Sequence, residues 1–183
     1  TSRIDHILSK ICVEYGDITD MSSIITLLRE SKPHEVYHLA AQSHVYVSFC
    51  EPIYTANVNA IGTLNLIKAM HTICPEARLY NAGSSEMFGN SSSSSGYQDE
   101  DTPMIPVSPY GCSKLFAYNM VRNYRKAYSM FLSSGILFNH ESPRRASNFV
   151  TTKVVKGAIN ILLGKEEKLL LGNLDSYRDW GHA

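Results

Sequence analysis

Short apolar runs alternate with longer helical stretches along this chain, and that alternation restricts the fold more than any other feature. Ile11-Cys12-Val13-Glu14-Tyr15 is a candidate strand ended by Gly16-Asp17. Asp20 can cap a helix over Met21–Ser31, whose Ile24, Leu27 and Leu28 share one face. Pro33 stops that helix, and Glu35–Ala40 reads as a buried strand. A helical stretch follows from about Glu51 to Ile73, with Pro52 suited to its first turn. Arg78–Ala82 is the next strand. Ser108 and Pro109 then fit the cap and first position of a helix reaching about Tyr128. Leu132–Phe138 reads as a strand, Asn148–Leu163 as a helix ending at Gly164, and Lys168–Leu171 as a last short strand. Residues 90–103 interrupt the pattern with five serines, Ser91–Ser95, and the acidic Asp99-Glu100-Asp101, a composition suited to a mobile surface loop.

Strand–helix alternation of this kind predicts an α/β fold with a parallel sheet covered on both faces. Ligands of such sheets lie beyond the carboxyl ends of the strands. Three polar segments directly after strands therefore draw attention: Leu39–Ser43, Gly83–Glu86 and Asn139–Arg145. The balance of 17 Lys plus Arg against 17 Asp plus Glu argues against a bulk basic surface for nucleic acid. No apolar run approaches the length of a membrane span, which argues against a membrane partner. Cys12, Cys50, Cys74 and Cys112 are scattered and read as free thiols of a reducing compartment, so a cytoplasmic location is expected. The opening at Thr1 and the end at Ala183 resemble natural termini at neither end, and the chain reads as an internal fragment.

Among candidate motifs, His34-Glu35-Val36-Tyr37-His38 fits the HExxH pattern of zinc proteases. That pattern needs a helix. On the expected strand the two histidines lie ~13 Å apart, too far to share one ion, so no metal is expected. Tyr110 and Lys114, four residues apart on a helix, share a face. An adjacent ammonium favours phenolate, pulling a tyrosine down from ~10 and fitting it for general-base work on a sugar hydroxyl. With 11 tyrosines in the chain the spacing also arises by chance, and an exposed aromatic beside a solvated lysine reads equally well. Ser84 and Glu86 follow a strand and place a hydroxyl and a carboxylate at the ligand edge, although a serine-rich turn has the same composition. Asp17 and Ile18 suit an adenine contact or a plain turn. Asn139, His140 and Glu141, followed by Arg144 and Arg145, suit phosphate binding or a basic surface loop.

Several segments occur in the order and wording of one family. Leu39-Ala40-Ala41-Gln42-Ser43-His44-Val45, Ser84-Ser85-Glu86-Met87-Phe88-Gly89 and Ser108-Pro109-Tyr110-Gly111 with Lys114 are three of them. Gly135 through Arg145, Gly172-Asn173-Leu174-Asp175 and Arg178 through Ala183 are the others. Over nearly its whole length the chain resembles the GDP-mannose 4,6-dehydratases, members of the extended short-chain dehydrogenase/reductase class. The resemblance implies a partial Rossmann-type, doubly wound parallel sheet that lacks the first βαβ unit and most of a C-terminal substrate domain. Residues 1–147 would form the NADP-binding part and 148–183 the start of the nucleotide-sugar part.

The activity implied is NADP-dependent conversion of GDP-mannose to GDP-4-dehydro-6-deoxy-mannose. The resemblance assigns Tyr110, helped by Lys114, to the 4-hydroxyl proton, Glu86 to the C5 proton and Ser84 to a hydrogen bond near O4. It assigns Asp17, Ile18, Leu39, Ala40, Ala41, Gln42, Ser43, Tyr54, Lys114, His140 and Arg145 to the cofactor. Ser48, Asn139, Lys153 and Arg178 fall to the substrate. Thr1-Ser2-Arg3-Ile4 matches the end of a loop that reaches toward a neighbouring subunit's cofactor, implying a homo-oligomer, dimer or tetramer. The chain departs from the family pattern in lacking the glycine-rich phosphate loop, in Ala146 for a usual glycine, in Thr152 for a usual arginine, and in a longer serine loop. Two alternatives fit the same motifs: another nucleotide-sugar reductase or epimerase, which has no use for Glu86 as a C5 base, and a catalytically silent truncated partner.

Overall fold

Val36, Leu79 and Leu132 lie side by side on three neighbouring strands and anchor the core of the chain. The computed structural model describes residues 3–175 and 177–183. Thr1 and Ser2, half of the segment expected to reach a neighbouring subunit, lie outside the described residues, as does Ser176. By its contacts the chain divides into two units, Cys12–Leu137 and Thr1–Ile11 with Phe138–Ala183.

In the larger unit, β1 (Glu35–His38), β2 (Arg78–Ala82) and β3 (Leu132–Gly135) form a parallel sheet in the order β1-β2-β3. Three helices, α1 (Met21–Ser31), α4 (Gly62–Ile73) and α5 (Pro109–Tyr128), place Ile24, Leu28, Leu66, Ile67, Met70 and Val121 against it. Sequential strand order explains why α4 and α5 share one face: right-handed crossovers repeated in the same direction put successive helices on the same side, and α1 packs beside α4. On the other face Tyr37 remains 65% exposed, so among the described residues the main core lies on one face of the sheet. Glu35–Ala40 was expected as a buried strand, but it ends at His38 and only that residue is buried, because β1 is the sheet's open edge.

The local signals act where capping chemistry dictates. Asp20 accepts the amide of Ser22 and Lys32 closes α1 in the left-handed region. Ser108 accepts the amide of Gly111 at the start of α5. The stretch expected as one helix from Glu51 to Ile73 is α3 (Pro52–Ala56), a π-helical segment (Asn57–Ile61) and α4. A short helix not anticipated, α2 (Val45–Cys50), precedes it. Ile11–Tyr15 forms no ladder and Val13 and Tyr15 are exposed, because no strand pairs with them. The serine loop folds over Ser93–Tyr97, where Ser93 N donates to Tyr97 O (2.7 Å). Its base closes at Gly89, whose φ of +59° and contact with Ile105 O exclude a side chain.

In the smaller unit, β4 (Asn139–Glu141) pairs in parallel with β5 (Trp180–His182) beside α6 (Val150–Leu162). The strand expected over Leu132–Phe138 ends at Gly135, and β4 begins only at Asn139. Lys168–Leu171 is not a strand. Leu169 packs on Gly157 of α6 instead, where an added Cβ would lie 2.7 Å from it, and the ladder passes to Trp180–His182.

Candidate active site

The carboxyl ends of the three strands carry a polar layer above the apolar one. His38, Asn81 and Ser134 stand in register across β1, β2 and β3, two residues beyond Val36, Leu79 and Leu132. Asn81 Nδ2 donates to Ser134 Oγ (3.1 Å). His38 is buried and its Nε2 lies 2.9 Å from Thr63 Oγ1 on α4. The Thr63 hydroxyl donates to Asn59 O (2.6 Å), which leaves His38 Nε2 as the donor. The HExxH histidines are therefore parted by an extended strand, and His38 works as a core hydrogen-bond donor. Burial first, and the charge of Lys114 second, lower its pKa to about 4, so it is neutral at pH 7.

Lys114 is 7% exposed, and Nζ donates to Ala82 O at 2.9 Å, at the end of β2. Burial lowers its pKa from 10.5 to about 8. The ammonium lies 5.9 Å from the ring centroid of Tyr110, so the helical spacing brings the two side chains near each other. Tyr110 is itself buried. Ser84 and Glu86 follow β2 as expected, on a tight 3-10 turn (Ser85–Met87) whose cap is Ser84, with Oγ accepting the Glu86 amide (3.2 Å). Gly111 lets this turn and α5 close on each other, because a Cβ there would stand 2.6 Å from Glu86 O. Tyr110, Lys114, Ser84 and Glu86 thus converge on one end of β2 and the first turns of α5.

The Leu39–Ser43 segment leaves β1 toward this edge, with Leu39 66% exposed. It is held by a residue that the sequence reading missed. Asn59, in the π-helical segment, accepts from Gln42 N (2.8 Å) and donates to Gln42 O (3.0 Å) and Ser113 Oγ (3.1 Å). A π-turn within a helix commonly marks a functional position. The available signal was an asparagine set between Val58 and Ala60 on an apolar stretch, where an unsatisfied amide would be costly. Gln42 is fixed again by its side chain, which donates to Thr55 Oγ1 (3.0 Å) and accepts from His44 N (2.6 Å). Ser48, expected at the substrate, is fully buried, and its hydroxyl meets Val45 O and Tyr110 N.

Asp17 and Tyr54 line one pocket of about 340 Å3 with Thr19, Asn57, Val58 and Ile61. Ile18 lies beside it, packed on Gly62. Backbone and hydroxyl hydrogen bonds from Thr19 hold the Asp17 carboxyl below its usual range. An acidic acceptor, a phenol and an apolar floor match the needs of an adenosine group.

In the smaller unit, His140 Nδ1 lies 3.0 Å from Phe138 O, and Asn139 N donates to Asp179 O (3.2 Å). Arg145 pairs with Glu141 (3.5 Å) and its guanidinium stacks over Phe149 at 3.6 Å. With Arg3, His6, Arg144 and Lys156 it lines a basic pocket of about 440 Å3, a donor set suited to phosphate. Thr152 donates to Arg145 O (3.2 Å). Lys153 and Arg178 are exposed, the latter donating to Tyr177 O (2.7 Å).

The sequence model of the family described as GDP-mannose 4,6 dehydratase matches residues 1–183, the entire chain. The chain belongs to that family. It is 48% identical to the GDP-mannose 4,6-dehydratase of Sinorhizobium fredii (strain HH103), over 100% of this chain and 54% of that protein. It is 47% identical to that of Homo sapiens, over 97% of this chain and 48% of the other. The chain thus spans about half the length of the curated relatives it matches. Among solved structures, RMD from Pseudomonas aeruginosa complexed with NADPH superposes with a TM-score of 0.86 at 23% identity, covering 99% of this chain and 65% of that one. A dTDP-glucose 4,6-dehydratase from Bacillus anthracis in complex with NAD superposes at 0.83 and 26% identity, over 99% and 54%. These likenesses establish a partial Rossmann-type fold. Among the described residues no helix is long and apolar enough to cross a membrane.

Proposed function

We propose that this chain carries the catalytic core of an NADP-dependent GDP-mannose 4,6-dehydratase. The observation that supports this most is the convergence of Tyr110, Lys114, Ser84 and Glu86 at the carboxyl end of β2 in a chain matched throughout by that family. Bound NADP would supply a hydride acceptor at the sugar's C4 and donate that hydride back at C6. Tyr110 takes the 4-hydroxyl proton, with the Lys114 charge favouring its phenolate. Ser84 hydrogen-bonds near O4. Glu86 takes the C5 proton, acidified by the adjacent ketone, and passes it to the departing 6-hydroxyl, which leaves as water; the proton taken by Tyr110 is returned at C5 as C6 is reduced. The product is GDP-4-dehydro-6-deoxy-mannose with no net use of cofactor.

The residues present fit a dinucleotide. Asp17, Ile18 and Tyr54 would receive its adenosine end, Leu39, Ala40, Ala41, Gln42 and Ser43 its middle, and Lys114 its reactive end. His140 and Arg145 supply donors of the kind phosphate needs. Asn139, Lys153 and Arg178 are proposed substrate contacts. Residues 1–147 are assigned to the cofactor and 148–183 to the nucleotide sugar, in a homo-oligomeric, cytoplasmic protein.

Glu86→Gln tests the reading against a reductase or epimerase. Loss of dehydration on the order of 10²-fold or more, with NADPH binding intact, supports a C5 base. Turnover unchanged by the substitution refutes the role.

A further inference from the structure

Helix α5 needs its first amides satisfied, because the opening turn of any helix leaves them without intrahelical partners. Pro109 has no amide, Ser108 Oγ accepts from Gly111 N (3.0 Å), and Ser108 O accepts from Cys112 N (2.9 Å). The local cap does not reach Tyr110 N. Its partner is Ser48 Oγ, 3.1 Å away, from α2, 62 residues earlier in the chain. The same hydroxyl donates to Val45 O (2.6 Å) and the residue is 0% exposed. Ser48 therefore has no surface to offer a sugar. In the next peptide unit, Tyr110 O accepts from Ser113 Oγ (2.7 Å), which Asn59 holds in turn.

The geometry points to Ser48 as a positioning residue, a cap from another helix that fixes the backbone of Tyr110 and so aims its phenol. This rests on the reading of Tyr110 as the catalytic base. It replaces the expectation that Ser48 touches substrate. The reasoning is chemical: a proton-transfer group displaced by about 1 Å can lose on the order of 10²-fold in rate, so fixing its amide through a buried hydroxyl matters for turnover rather than for substrate affinity. α2 follows the Leu39–Ser43 segment in the chain and its Ser48 meets α5, so the cap also ties the end of that segment to the base.

Ser48→Ala removes the hydroxyl and leaves the space. Amide hydrogen exchange should show Tyr110 N exchanging about tenfold faster, the measure of one lost hydrogen bond, while amides near Arg122–Lys126 at the far end of α5 are unchanged. With GDP-mannose and NADP, kcat should fall about tenfold with KM within about twofold, and the acid limb of the pH profile should move to higher pH. Ser48→Thr, which keeps the hydroxyl, should retain wild-type exchange and kcat. A KM raised about tenfold with exchange and kcat unchanged would show direct substrate contact and overturn the proposal. Faster exchange with kcat, KM and profile all unchanged would overturn it too, leaving a purely structural cap. If the wild type turns nothing over, the proposed function falls, and the cap is still decided by exchange and by phenolate absorbance. An upward shift of Tyr110 ionisation in Ser48→Ala upholds the positioning role, and an unshifted titration ends it.

Discussion

Replacing Lys114 by methionine should alter how stability responds to alkali, by an amount the structure supplies. The ammonium is buried beside Ala82 O, and burial brings its pKa from 10.5 to about 8. Between those values the unfolded chain holds a proton that the folded chain has released. Stability therefore rises with pH across that window, and is lost again as pH falls from 10.5 through 8. The gap of about 2.5 pH units, at 1.36 kcal/mol each, is about 3 kcal/mol. For a chain of this length that corresponds to about 6–12 °C in melting temperature. Other titrating groups are common to wild type and Lys114→Met, so the difference between their melting curves isolates the lysine. From pH 7.5 to 10.5 the wild type should gain on the variant by about that amount. Parallel curves across this range would refute the buried, depressed ammonium, and with it the argument that Lys114 is held against Ala82 to act on Tyr110.

His38 should control the acid side in the same sense. Its pKa of about 4 against an ordinary 6.5 means stability present above pH 6.5 and lost as pH falls toward 4, so His38→Asn should flatten that limb by about 3 kcal/mol in urea titrations. An acid limb as steep as the wild type's would contradict it. Asn59→Ala should destabilise by about 1–3 kcal/mol, because it strands Gln42 N and Gln42 O, and should weaken NADPH binding seen by ligand fluorescence. Stability lost without any change in affinity would separate Asn59 from the cofactor segment.

How much of this was legible in the sequence depends on whether the controlling interaction is local. Asp20 and Ser108 cap their helices through bonds two or three residues long, so both starts could be read directly. Tyr110 and Lys114 needed only the pitch of a helix to meet. The failures are non-local. Ile11–Tyr15 and Lys168–Leu171 have strand composition, but composition cannot say whether a partner ladder exists. Leu169 instead found the gap at Gly157. Asn59 and Ser48 act across 17 and 62 residues, and no local pattern distinguishes a buried bridging side chain from a solvated one. That α4 and α5 share a face follows from strand order, which alternation alone does not encode.

The proposed activity is the internal redox dehydration of GDP-mannose. Its most direct test is to incubate the protein with NADP and GDP-mannose deuterated at C4, and to follow the nucleotide sugar by mass spectrometry and NMR. The account predicts a product lighter by one water, with the deuterium recovered at C6 and no accumulation of NADPH. A C4 epimer, deuterium lost to solvent, or stoichiometric NADPH would contradict it, as would recovery of unreacted substrate alone.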